Sequence, residues 1–194
     1  YKKSQQATES HWVLGLLYES QTDFETAAKY FEKMATFPDV PQVADALYNA
    51  GAIRSALEQY DQAIAIFETY AKKFPKKKDT PKLVMRIAQI YETQKNWTKA
   101  LKTYARYIKK YGKAQPEMVP GLYLSRALIT QRAGGKRTRS KAIVELKKAQ
   151  KAYGRLKSEQ KEAAKVRQAM AKVMFLQAEY KYEDFAAIQL TFPI

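Results

Sequence analysis

The sequence predicts an all-α fold, in which antiparallel helix pairs stack into a right-handed superhelix. Three observations carry this. Gly and Pro number 7 each in 194 residues, well below the ~12% of average usage, which argues against a turn-rich β-sandwich. The prolines stand at 38, 41, 75, 81, 116, 120 and 193. Between them lie long stretches without a breaker, and Pro is excluded from helix interiors. Small and aromatic residues also recur in register. Gly15, Gly51 and Ala88 each precede Ala27, Ala63 and Ala100 by twelve residues, and those alanines are 36 and 37 residues apart.

The first repeat, residues 8–41, carries Leu14-Gly15, Tyr18, Phe24, Ala27, Phe31 and Pro38. The second, residues 44–78, carries Ala50-Gly51, Tyr60, Ala63, Phe67, Tyr70, Phe74 and Pro75. The third, residues 81–114, carries Ile87-Ala88, Tyr91, Trp97, Ala100, Tyr104, Tyr107 and Tyr111. Tyr60, Ala63, Phe67 and Tyr70 step by 3, 4 and 3, one face of a helix. Small residues at the two crossing positions let paired helices approach closely, and the aromatics fill the space beside them. Thr22, Asp23, Asp61, Thr80, Asn96 and Thr98 are expected at helix starts as caps and first-turn residues.

Past residue 114 the pattern degenerates. A fourth pair is expected over 117–153, with Ala127 at the small position and Ala142, Leu146 and Ala149 replacing the aromatics. The connection from Ala133 to Ser140 holds two glycines and three basic residues and reads as an exposed, mobile loop. Residues 158–180 read as one long helix, with Ala163, Val166, Met170, Val173 and Leu176 on its apolar side. The tail 181–194, with Tyr182, Phe185, Ile188, Leu190 and Phe192, is expected to dock on the array or on a continuation. Because the chain begins with Tyr1, it reads as part of a longer protein. The expectation is a single array over 1–194, whose last helix and tail form a cap or the start of a continuation.

Residues 8–111 resemble the tetratricopeptide repeat (TPR) family. The resemblance rests on the small/large pair in helix A, the aromatic before helix B, the Ala-then-aromatic pattern in helix B and the closing Pro, three times over. The repeats are a little longer than that family's usual ~34 residues. The resemblance implies partner binding without catalysis. The helix B ending Tyr70-Ala71-Lys72-Lys73-Phe74-Pro75 is similar to those of bacterial cell-envelope TPR proteins, which implies a periplasmic location, with the cytoplasm as the alternative.

Composition points away from chemistry. Cys is absent and His11 is the only histidine, so thiolate metal sites, cysteine nucleophiles and histidine clusters are excluded. No cofactor or metal is expected. Gly134-Gly135-Lys136 is followed by Arg137 and so fails the phosphate-loop pattern, which also needs a preceding strand. No stretch is apolar enough to span a membrane.

Charge points to binding. The chain carries a net +16; residues 1–70 hold 5 Lys/Arg and 10 Asp/Glu, so the remainder is strongly basic. An anionic partner is expected for that part. The basic-edge candidates are Lys76, Lys77, Lys78, Lys109, Lys110, Lys136, Arg137 and Arg139. The groove candidates, by helix A register, are Trp12, Tyr48, Asn49, Lys82, Met85, Arg86 and Gln89, with Leu16, Ala52 and Ser55 beside them. Asn49, Lys82 and Arg86 are similar to the carboxylate-clamp subfamily. The first repeat departs from that pattern, carrying Trp12 and Leu16 where Lys and Asn would stand. The expected function is a non-catalytic scaffold that binds a protein or peptide, acidic partners being favoured by the basic edge. The alternative is a helical-repeat binder of nucleic acid or another polyanion through the basic residues after Lys72.

Overall fold

The computed structural model describes residues 5–37 and 41–188. Pro38, Leu190, Phe192 and Pro193 lie outside the described residues. Among those described there are helices and no strands. The chain divides after Asn96 into two compact units, and each is taken by itself.

The first unit holds α1 (Gln5–Ser20), α2 (Phe24–Lys33), α3 (Pro41–Ala56), α4 (Tyr60–Lys73) and α5 (Thr80–Thr93). Each helix packs on the next along the chain. The small-residue register does what the sequence requires of it. Ala27 and Ala63 are fully buried. A Cβ built on Gly15 would sit 2.4 Å from the Phe31 ring, and one on Gly51 would sit 2.2 Å from the Phe67 ring. Both rings are buried, so glycine is what lets each ring lie flat against the partner helix.

Helices α1, α3 and α5 end alike. Thr22, Glu58 and Lys95 take φ values of 61°, 59° and 55°, in the left-handed region. The next N–H reaches back to a carbonyl five residues earlier: Asp23 to Tyr18, Gln59 to Arg54, Asn96 to Tyr91. Beside it the left-handed residue donates to the carbonyl three before it. This is the paired bond pattern of a Schellman stop, built three times without glycine. Thr22 therefore closes α1, and Asp23 alone opens α2, accepting from the Thr26 N–H at 3.1 Å. Thr80 is fully buried in the first turn of α5 and donates to the Phe74 carbonyl at 2.5 Å.

The second unit holds α6 (Trp97–Tyr111), α7 (Val119–Gly134), α8 (Arg139–Gly154), α9 (Ser158–Glu162) and α10 (Ala164–Ala186). Its core joins Ala127, Ala142, Leu146 and Ala149 to Met170, Val173, Leu176 and Tyr180, so α10 covers the packed helices α7 and α8. Two expectations need correction. The Ala133–Ser140 connection is not a free loop: Gly135–Thr138 forms a 3-10 turn, and Thr138 donates to the Thr130 carbonyl at 2.6 Å. The long helix over 158–180 is broken at Ala163, which is extended at φ −58°, ψ 127°. The five residues before it are polar and none is buried, so they have no apolar anchor to hold them in line. The buried stripe begins only at Val166. Past the last core residue, Tyr182, Phe185 and Ile188 are 71%, 73% and 63% exposed, while Glu183 and Asp184 pair with Arg139.

Candidate partner-binding surface

In the first unit, α3 turns Val43, Ala44, Ala46, Leu47 and Ala50 into the core, and α5 does the same with Leu83, Val84, Ile87 and Ala88. Of the residues the register nominated, several lie outside, whereas Ser55 is buried. Tyr48 is 41% exposed and Asn49 half-buried on α3; Lys82, Arg86 and Gln89 are exposed on α5, with Met85 half-buried between them. Arg86 has no ion-pair partner among the described residues.

Lys82 is not a free cation. Its ammonium donates to Asp79 at 3.0 Å, and that bond, with the Asp79 charge, holds its pKa above the ordinary lysine value. The Tyr48 hydroxyl lies close enough to add to this. Lys82 would therefore meet a ligand as one half of an ion pair, unlike the bare lysine that a carboxylate clamp needs. Burial, then the nearby Asp79 and Asp45 carboxylates, raise the pKa of Tyr70 behind this face.

The first repeat differs. Trp12 packs its ring 5.5 Å from that of Phe31 and is partly buried against the core. Among the residues α1 leaves outside are three aliphatics: Val13, Leu16 and Leu17 are 59%, 41% and 47% exposed. His11 is a packing residue: its Nδ1–H donates to the Ala7 carbonyl at 2.7 Å, and its ring meets Tyr30 and Phe37 edge-on.

The basic-edge residues fall in separate turns of the two units. Lys76, Lys77 and Lys78 are exposed in the turn between α4 and α5, with Lys77 lying 5.8 Å over the Phe74 ring. In the second unit, Lys109 and Lys110 end α6, whereas Lys136 and Arg137 follow α7. The α7 helix begins beside the first pair and ends at the second, a run of about 24 Å at 1.5 Å per residue. Arg139 is committed to the fold. It bonds the Tyr180 carbonyl and pairs with Asp184 at 2.6 Å and Glu183 at 3.7 Å. Its guanidinium also lies 5.0 Å over the Tyr180 ring.

Two ion-pair networks, one centred on buried Arg54 and one on buried Glu145, escaped the sequence reasoning. Arg54, 3% exposed, donates to Glu32, Glu25 and Gln59, tying α2 to the end of α3. The bond from Arg54, then that from Gln59, holds the Glu25 pKa at about 2 instead of 4.5. In the second unit Arg126 holds Glu145 through two bonds and the Leu101 carbonyl through a third. Burial pushes the Glu145 carboxyl up, but the bonds from Arg126 and Lys148 outweigh it, and its pKa is lowered. The one signal was a charged residue inside an otherwise apolar helix segment, as at Ala52-Ile53-Arg54. Among the described residues no three His, Asp or Glu side chains converge on a point that could hold a metal ion, and no helix is long and apolar enough to cross a membrane.

Comparison with known proteins agrees with this architecture. The tetratricopeptide repeat family profile matches residues 13–77 and 44–115, together more than half of the chain. Among solved structures, a Podosopora anserina protein of nearly identical TPR-like repeats superimposes with a TM-score of 0.55 at 14% identity, covering 90% of this chain and 88% of that one. A tetratricopeptide repeat protein from Parabacteroides merdae gives 0.51 at 14% identity, with 96% and 82% covered. MamA from Desulfovibrio magneticus gives 0.50 at 16% identity, with 89% and 96% covered. At these identities the likeness is one of fold. No curated protein matches the sequence.

Proposed function

Because the chain belongs to the tetratricopeptide repeat family, we propose that it is a non-catalytic scaffold binding a protein or peptide partner along the outer faces of α3 and α5. The observation that supports this most is Tyr48. An aromatic ring that its own fold leaves 41% exposed sits beside Asn49 on α3, and α5 presents Arg86 and Gln89 unused by packing. An apolar anchor with amide and guanidinium donors suits a polypeptide, whose backbone offers acceptors at every residue. Arg86, four residues after Lys82 on the same helix face, adds an attraction for a carboxylate.

The lysines after Lys72 would raise the association rate for acidic partners more than they fix specificity. The rival reading, a nucleic-acid or polyanion binder, draws support from the charge of that same region. One pair of variants separates the two. Tyr48→Ala with Arg86→Ala is expected to weaken capture of the partner about tenfold or more at every salt concentration. Neutralising Lys76, Lys77 and Lys78 is expected to weaken it mainly at low salt. Normal binding by the groove variant, with complete loss in the lysine variant, would move the site to the edge and favour the polyanion reading.

A further inference from the structure

We propose that the second unit carries a docking cavity for an acidic protein segment with one apolar anchor, formed where the ends of α6 and α8 flank the start of α7. This rests on the scaffold reading above and gives its acidic partner a second contact, in the second unit.

The cavity measures about 320 Å³, at the small end of ligand sites. Five cations line it and no carboxylate does: Lys109 and Lys113 from the end of α6, and Lys148, Lys151 and Arg155 from the end of α8. Lys109 lies in the last turn of α6 and Lys113 just past its end; Lys148 and Lys151, at i and i+3, share one face of α8, and Arg155 is its C-cap. The sequence marks both runs as basic but does not show that they meet. Packing α6 and α8 on opposite sides of the first turn of α7 brings them together. The approach is close, since a Cβ on Gly112 would come within 3.1 Å of Val119 Cγ2 at the start of α7.

Neutralisation inside the fold is incomplete. Lys148 donates to Glu145 at 2.8 Å and lies 6.0 Å from the centre of the Tyr123 ring. Lys109, Lys113, Lys151 and Arg155 have no ion-pair partner among the described residues. Cations gathered around one opening repel one another and focus a positive potential into it, which an entering anion relieves. The floor is of the opposite character: Ile108, Pro116, Val119 and Leu156 supply aliphatic surface.

That combination selects the occupant. Single-stranded nucleic acid needs a cationic track along its backbone and open rings for stacking. Here the cations encircle one cavity, and the single ring at its wall, Tyr123, is half-buried with Lys148 over its face. The aliphatic floor offers nothing to read a base edge. A leucine- or phenylalanine-sized side chain seats on that floor, and acidic residues on either side of it reach the lysines.

The test is fluorescence anisotropy with the full chain and a labelled, glutamate-rich peptide carrying one central leucine. The comparators are the same peptide with serine for leucine, an oligothymidylate and vesicles of anionic phospholipid. Binding of the leucine peptide is expected to fall tenfold or more in the triple variant Lys113→Gln, Lys151→Gln, Arg155→Gln. All three residues are exposed, and circular dichroism checks that the fold survives. The serine peptide is expected to bind about tenfold more weakly, the worth of one buried aliphatic side chain. The Lys172→Gln variant, exposed on α10 and outside the lining of the cavity, is expected to bind the leucine peptide like the parent. Equal affinity for the leucine and serine peptides, or normal binding by the triple variant, overturns the proposal. So does preference for oligothymidylate or vesicles over the peptide. Loss of the peptide only in the Tyr48/Arg86 variant removes the cavity and leaves the scaffold reading standing.

Discussion

At Gly15 and Gly51 the usual preference inside a helix is reversed. Alanine is normally better than glycine there by about 1 kcal/mol. Here the added methyl would enter the Phe31 or Phe67 ring, at 2.4 or 2.2 Å, and neither buried ring has room to retreat. Gly51→Ala is expected to lower stability by about 1–3 kcal/mol, read as a drop in Tm, and Phe67→Leu in that background is expected to recover part of the loss. Ala63→Leu, on the facing helix, is expected to cost a similar ~1–3 kcal/mol. An unchanged melt for both would show the register to be wrong. Glu25 makes a second prediction at this scale. Its folded pKa, about 2, is lowered from 4.5 by Arg54 and Gln59. A lowered carboxylate pKa gives stability above the unfolded value, lost as pH falls through the folded one. Glu25→Gln is therefore expected to be the less stable protein at neutral pH. In denaturant titrations the gap from the parent should close between pH 4.5 and about 2.

At the scale of the element, legibility followed what packing imposes on residue type. A close helix crossing demands a small residue and a buried face demands a ring. Gly51, Ala63 and Phe67 could therefore be placed from spacing alone, as could the outward Tyr48, Arg86 and Gln89. The helix stops could not, because Thr22, Glu58 and Lys95 are not glycine and hold the left-handed conformation through backbone bonds alone. Nor could the break at Ala163, where no breaker stands and the cause is missing burial over 158–162. The packing partners of Trp12 and Arg139, Phe31 and the end of α10, are remote in sequence and could not be read from it. The stops make a prediction of their own. Glu58→Gly relieves a left-handed side chain and is expected to raise stability by up to about 1 kcal/mol. Ala65→Gly, on the exposed side of the next helix, is expected to lower it by about as much. Paired thermal melts compare the two, and a Glu58→Gly protein that melts lower would refute the reading of the turn.

At the scale of the whole molecule, the charge is uneven: residues 1–70 are net acidic while the full chain is +16. Contacts made by phosphate-like partners should therefore weaken steeply with salt, and those made by Tyr48 should not. Titrating the captured partner at low and high salt is expected to leave a salt-resistant fraction that Tyr48→Ala removes. The Arg54 network has a different bearing on the molecule. In a repeat array, stability is a sum of terms within repeats and terms between neighbours. Arg54 joins α2 of the first helix pair to α3 of the second, so part of the first neighbour term depends on protonation. At neutral pH the amides of α1 and α2 should exchange with deuterium in the same opening as those of α3 and α4. As the pH falls toward the Glu25 value of about 2, or at any pH in Arg54→Met, the two sets should separate. The first pair would then open by itself, so that acidity acts on the cooperativity of the array before it acts on any single helix.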